Sequence, residues 1–256
     1  MTMSVVLPVI IPDDYCLWLT RLCIAALHSH AKHAFELVVV ETGTRHLDPE
    51  RGGPFPSLMA IDRYVHREQI TSYVADWNAG ADAASGELLV HIGNDVLVGP
   101  RWDEALRAPF ERLRDCGMSS TSVVEPGFPP IGHSAPVEAI VEGWMTAFCC
   151  FRREWRLDPA YESWYSDTDL LMRIYASGRR AYRNMRHVAT HLHQVTYKRV
   201  FEGTGQRTTD AGEAEFYRRW TGSPWWVYGM VRTGRIEWGR EHVGMLLAPP
   251  STGNTK

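Results

Sequence analysis

Glu87-Leu88-Leu89-Val90-His91-Ile92 is a short apolar run that breaks into Gly93-Asn94-Asp95, the pattern of a buried strand whose polar end lands at the rim of a sheet. A carboxylate delivered at the carboxyl end of a strand in an open α/β sheet stands where ligands bind, and Asp95 could there hold a divalent cation against a diphosphate. Asp and Asn also form turns after strands for purely local reasons, so Asp95 suits a turn as well as a ligand. Downstream, Ser166-Asp167-Thr168-Asp169 precedes a helical pattern. A carboxylate at a helix start can act as a general base on a hydroxyl, or can cap and charge-stabilise the helix for about 0.5–2 kcal/mol. His191 and His193 fall on one face of an expected strand, where an imidazole can complete a cation site or belong to the core or surface.

The elements around these groups alternate. Residues 4–11 are β-branched and apolar and predict a central parallel strand, followed by Pro12-Asp13-Asp14 as the cap of a helix over 15–28. Residues 35–40 repeat the strand signal and run into Glu41-Thr42-Gly43-Thr44, a polar turn at the same rim. Gly and Pro in residues 42–60, including Arg51-Gly52-Gly53-Pro54-Phe55-Pro56, predict a loop. A helix over 71–85 leads into the 87–92 strand, and Pro100-Arg101-Trp102 opens a helix with Trp102, Ala105, Leu106, Phe110 and Leu113 on one face. A strand over 119–124 ends in Glu125-Pro126-Gly127-Phe128-Pro129-Pro130-Ile131-Gly132, read as a loop over the site. Then come an apolar strand over 145–151, a helix over 167–176 closed by Gly178, a strand over 188–193, a helix over 208–220 and a tail with Trp225, Trp226 and Trp238. Strand alternating with helix implies an α/β protein with a mostly parallel, twisted sheet flanked by helices.

A chain of 256 residues, 45% hydrophobic, can bury a substantial core. It contains no uninterrupted apolar stretch long enough to cross a bilayer and no basic leader with a cleavable apolar core, so a soluble cytoplasmic protein is expected. Five cysteines, Cys16, Cys23, Cys116, Cys149 and Cys150, lack paired spacing and predict buried thiols rather than disulfides or a zinc site. The net charge of -3 hides an asymmetry: residues 1–150 carry 10 Lys and Arg against 19 Asp and Glu, and residues 151–256 carry 17 against 11. The basic half could face an anionic acceptor, a lipid surface or nucleic acid, or be a solvated face.

In order and spacing, four segments resemble the family-two glycosyltransferases, nucleotide-sugar enzymes of GT-A fold: Val5-Val6-Leu7-Pro8, residues 35–44, residues 78–96 and residues 143–193. The resemblance spans most of residues 4–195 and implies a GT-A catalytic domain over 1–195, with a donor part over about 1–100 and an acceptor part over about 101–195. Residues 196–256 would be a helical, Trp-rich extension. It implies metal-assisted, inverting transfer of a hexose from a nucleotide sugar, a UDP-sugar, to a hydroxyl of a carbohydrate or lipid-linked glycan, with Mn²⁺ or Mg²⁺ as cofactor. Asp95 would bind the metal, with His191 favoured over His193 as second ligand. Asp167 would be the base, and Asp169 would orient the acceptor or that base. Pro8, Glu41, Asn78, Gly80, Asn94 and Asp95 would face the donor, with Asp76 and Arg63 as further candidates there. Arg173 and Arg179 suit a diphosphate, an acceptor or a solvated helix face.

The chain departs from the family's Asp-x-Asp motif, because Gly93 stands two residues before Asp95. Three other readings stay open. One, if Asp167 only caps its helix, is a retaining enzyme with the same metal site. Another is a non-catalytic sugar-nucleotide or glycan-binding module. The third is a nucleic-acid-modifying glycosyltransferase gripping its acceptor with basic residues and Trp225-Trp226.

Overall fold

A computed structural model describes residues 1–48, 60–70, 72–125, 140–142, 147–192, 195–201, 209–221 and 223. Its strands are β1 (Met3–Val9), β2 (Glu36–Thr42), β3 (Arg63–Arg67), β4 (Leu88–Ile92), β5 (Val96–Leu97), β6 (Cys116–Val124), β7 (Ile140–Glu142), β8 (Phe148–Arg152) and β9 (Arg180–His191). Its helices are α1 (Asp14–His30), α2 (Tyr73–Ala83), α3 (Trp102–Arg112), α4 (Ser166–Ala176), α5 (Val195–Phe201) and α6 (Thr209–Trp220).

The strands form one sheet in the order β3-β2-β1-β4-β8-β6-β9-β5, with β7 also paired to β9. β1, β2, β3, β4, β6 and β9 run in one direction, and β5, β7 and β8 run against them. The sheet is thus mostly parallel, as expected, with an antiparallel strand inserted at its middle. That direction brings the carboxyl ends of β2, β4, β6 and β9 to one rim.

Strand periodicity divides the core into two layers. Val5, Leu7 and Val9 of β1, Leu37 and Val39 of β2, and Leu88, Val90 and Ile92 of β4 face α1 and α3, meeting Cys23, Ile24 and Leu27 and then Trp102, Leu106 and Phe110. Val6, Val38 and Leu89 face the other way, toward Val74, Trp77 and Ala81 of α2, Leu170, Leu171 and Ile174 of α4, and Phe216 and Trp220 of α6. Full burial of each such aliphatic side chain contributes roughly 1.5–3 kcal/mol. The late helix α6 belongs to this second layer.

Local signals account for the starts of α1 and α2. Asp13 caps α1 by accepting from Cys16 N at 2.8 Å, and Ser72 caps α2 by accepting from Ala75 N at 3.0 Å. Gly178, at φ 83°, takes up the left-handed turn that ends α4. Gly80 permits close helix–sheet packing, since a Cβ there would lie 2.5 Å from Val6 Cγ1 and 2.8 Å from Val40 Cγ2. All five cysteines are buried thiols, as their spacing predicts. Among the described residues no helix is long and apolar enough to cross a membrane.

Candidate functional site

The rim where β4, β6 and β9 end gathers residues far apart in the chain. β4 gives way to Gly93-Asn94-Asp95 and then to β5, whose Val96 pairs with His191. On the other flank of β9, Val124 pairs with Thr190, which sets Glu125 beside His191. His191 Nδ1 lies 2.6 Å from Glu125 Oε1, and its Nε2 lies 3.6 Å from Asp95 Oδ1. The turn carrying Asp95 is held from several sides. The Asp95 carbonyl accepts from Leu192 N at 2.9 Å, and Oδ2 accepts from Val195 N, the first residue of α5, at 3.2 Å. The Asn94 amide donates to Thr20 Oγ1 of α1 at 2.9 Å and its oxygen accepts from Thr196 Oγ1 of α5 at 3.0 Å. Asn94 therefore fixes the turn through protein contacts.

Asp95 Oδ1 and His191 Nε2 are too far apart for a hydrogen bond. They are close enough to be neighbouring donors around one divalent cation with bonds of roughly 2.1 Å. Among the described residues no group of three or more His, Cys, Asp or Glu side chains gathers around a common cation position. A carboxylate and an imidazole that leave the rest of the shell to phosphate oxygens and water fit Mn²⁺ or Mg²⁺ held against a diphosphate, and do not make a closed structural cage. Gly93 also acquires a reason: a Cβ at that position would lie 2.8 Å from Asp95 Oδ1. In this turn a side chain there would displace the carboxylate.

Asp167 sits in the first turn of α4 behind Tyr165, which adopts left-handed φ of 68°. Its Oδ1 accepts from Thr168 N at 2.7 Å and from Thr168 Oγ1 at 3.3 Å, and the residue is partly exposed. Tyr73, at the start of α2, meets His91 Nε2 through its hydroxyl at 2.6 Å. Its pKa is held well above the usual phenol range, first by burial and then by the carboxylates of Asp167, Asp95 and Asp76. Tyr73 and His91 thus join the start of α2 to the end of β4.

The donor-side candidates are placed differently from one another. Pro8, on β1, is opposite Val40. Glu41 is fully buried near the end of β2 and accepts from Thr44 Oγ1, His46 N, Leu47 N and Tyr64 Oη at 2.6–2.9 Å. It anchors the segment after β2, and β2 runs on to Thr42 where a turn was expected. Asn78 donates to the Leu157 carbonyl at 2.9 Å. The close approach that Gly80 permits is between α2 and the sheet. Asp76 is nearly buried and lies 2.6 Å from Arg67 Nε, at the end of β3. Burial pushes its pKa up, against the opposing pull of Thr42 and Arg67.

Three further candidates are held by protein partners. Asp169 is wholly buried, and all its bonds go to protein groups: Arg173 Nε at 2.7 Å, Trp220 Nε1 at 2.9 Å, Arg219 at 3.0 Å and Tyr161 Oη at 3.2 Å. It ties α4 to α6. Arg173 is held by Asp169 and by the Arg156 carbonyl. Arg63, at the start of β3, pairs with Glu36 at the opposite end of the sheet from the rim.

His193, the 51–56 loop, residues 126–132, Gly143, Trp144, Trp225, Trp226 and Trp238 lie outside the described residues. Glu125 heads the loop expected over the site and His91 lies in the 87–92 strand, but neither residue, nor Tyr73, stood out individually in the sequence. The one available signal was that His91 and Glu125 each stand beside the polar end of a strand.

No protein-family model and no curated protein matches the chain. Among solved structures, the chain is similar to Staphylococcus aureus TarS in a crystal structure of its residues 1–349, with a TM-score of 0.56 and 10% identity over 90% of this chain and 79% of that one. A longer TarS structure matches with a TM-score of 0.57 and 11% identity over 90% of this chain and 48% of TarS, so the chain spans about half of that protein's length. At such identity the likeness is one of architecture: the chain shares the fold of TarS.

Proposed function

We propose that this chain is a GT-A glycosyltransferase that moves a hexose from a nucleotide sugar, a UDP-sugar, to an acceptor hydroxyl with inversion and with a divalent cation at Asp95 and His191. The observation that carries the reading is the meeting of Asp95 and His191 at the carboxyl rim of the parallel strands, in a fold shared with the glycosyltransferase TarS. When bound, Mn²⁺ or Mg²⁺ supplies a Lewis acid that offsets charge building on the leaving diphosphate.

The protein's own residues do the rest. Asp95 and His191 would hold the cation, and the bonds of the turn to α1, α5 and Leu192 keep Asp95 from rearranging. Thr42, Arg67 and Asp76 form the polar end of β2, β3 and α2, where the nucleoside would lie. Asp167, partly exposed at the α4 N-terminus, takes the proton of the acceptor hydroxyl as it attacks the anomeric carbon. The acceptor is a glycan hydroxyl, on a free or a lipid-linked carbohydrate.

The test is release of nucleotide from a panel of UDP-, GDP-, dTDP- and CMP-sugars with Mn²⁺, Mg²⁺ or chelator, using wild type, Asp95→Ala and Asp167→Asn. Cation-dependent release from UDP-sugars that is lost in both variants supports the reading. Release unaffected by either substitution, or none from any donor, contradicts it and favours a non-catalytic binding module.

A further inference from the structure

Resting on the cation-site reading above, we infer that Glu125 is a positioning residue for the cation site, acting through His191 without touching the cation. Glu125 follows β6 directly, and the parallel pairing of Val124 with Thr190 sets it against His191 at the end of β9. The contact is short, 2.6 Å from Oε1 to Nδ1, and the two side chains are only 17% and 16% exposed. A carboxylate accepts only, so the Nδ1 position carries the proton in this pair. In the neutral ring that leaves Nε2 as the lone-pair nitrogen, and Nε2 is the atom turned toward Asp95 Oδ1 at 3.6 Å. One contact therefore sets both the tautomer and the ring orientation that a cation requires.

The same arrangement raises the donor strength of the imidazole. A carboxylate on the far side of the ring increases electron density at Nε2, the general design of carboxylate–histidine–metal triads. The bonds of the Asp95 turn fix Asp95 itself, and the imidazole is met by Glu125. Glu125 is distant from both partners in sequence, and its place is set by strand register.

The experiment measures Mn²⁺ binding, alone and with UDP, by EPR and calorimetry on wild type, Asp95→Ala, His191→Ala, Glu125→Ala and Glu125→Gln, with a melting curve for each. Expected is a roughly 10–100-fold loss of Mn²⁺ affinity in folded Glu125→Ala. Partial recovery is expected in Glu125→Gln, whose amide oxygen can still accept from Nδ1–H. Nitrogen modulation from a bound imidazole in pulsed EPR should persist in Glu125→Gln and weaken in Glu125→Ala. If binding depends on Asp95 and His191 but is unchanged in both Glu125 variants, the role given to Glu125 is overturned while the cation site stands. If wild type binds no Mn²⁺, or Asp95→Ala and His191→Ala bind it as wild type does, the site reading fails and this inference with it.

Discussion

Asp167 and Asp169 are two residues apart on one helix, yet their surroundings predict opposite consequences of mutation. Asp169 has no exposed surface and receives bonds from Arg173, Arg219, Trp220 and Tyr161. Removing one partner from a buried charge cluster costs about 3–5 kcal/mol, because the remaining charges lose compensation. Here Arg219 keeps Asp158 and Glu215, Arg173 keeps the Arg156 carbonyl, and the two guanidinium side chains are 28% and 27% exposed, so water and other partners soften the loss. Asp169→Ala should therefore lose about 3 kcal/mol in urea unfolding, a large part of the roughly 5–15 kcal/mol that stabilises a typical domain. Asp167→Asn removes a partly exposed charge in the first turn of α4 and should cost only about 0.3–1 kcal/mol. Its nucleotide release should fall roughly 10²–10⁴-fold if it is the base. The isosteric Asp169→Asn completes the comparison. If Asp169→Ala lost less than about 1 kcal/mol, or Asp169→Asn kept its stability while turnover fell as in Asp167→Asn, the structural role given to Asp169 would be refuted.

Gly80→Ala should lose about 1–3 kcal/mol in urea unfolding, because the new Cβ would meet Val6 and Val40 at 2.5 and 2.8 Å; unchanged stability would mean that α2 can lift from the sheet at little cost. Gly93→Ala should weaken Mn²⁺ binding by about tenfold through displacement of Asp95 Oδ1, with a melting temperature close to wild type; equal Mn²⁺ affinity would remove the explanation offered for glycine at 93. Burial works against ionisation of Glu36, but hydrogen bonds from Ser4, Ser85 and Arg63 outweigh it and bring its pKa down to about 2. The unfolded chain thus binds the proton first. The stabilisation is full above the ordinary glutamate value and is lost as pH falls from there through about 2. Urea unfolding of Glu36→Gln between those limits should show a shallower pH dependence than wild type, and parallel curves would contradict this.

Much of the scaffold was legible because its signals are local. The apolar runs at β1 and β4, the Asp13 cap and the Gly178 stop each act within a few residues, and each appears where patterning placed it. β5 and β7 are too short to show a period, and β3, Arg63-Tyr64-Val65-His66-Arg67, and the amino-terminal half of β9, Arg180-Ala181-Tyr182-Arg183-Asn184, are too polar to read as strands. β9 exists because β6 and β7 pair with it. The site divides in the same way. Asp95 and Asp167 stand out at element ends, whereas the Asp95–His191–Glu125 constellation is created by strand order and register. The bonds that occupy Asp169 and Glu41 come largely from outside their own elements, from α6 in one case and from the segment after β2 and Tyr64 in the other. No local pattern distinguishes such a carboxylate from one facing substrate.

The most direct measurement is thermal unfolding with UDP, GDP, dTDP and CMP, with and without Mn²⁺, on wild type beside Asp95→Ala and His191→Ala. A nucleotide bound only by the folded state at about 100 times its dissociation constant adds about 2.7 kcal/mol. For a chain of this size that is a rise of roughly 5–10 °C in Tm. A Mn²⁺-dependent rise with UDP, lost in both variants, is the expected result. No rise with any nucleotide, or a rise indifferent to Mn²⁺ and to both substitutions, would contradict a cation-assisted nucleotide-sugar site at the end of β4.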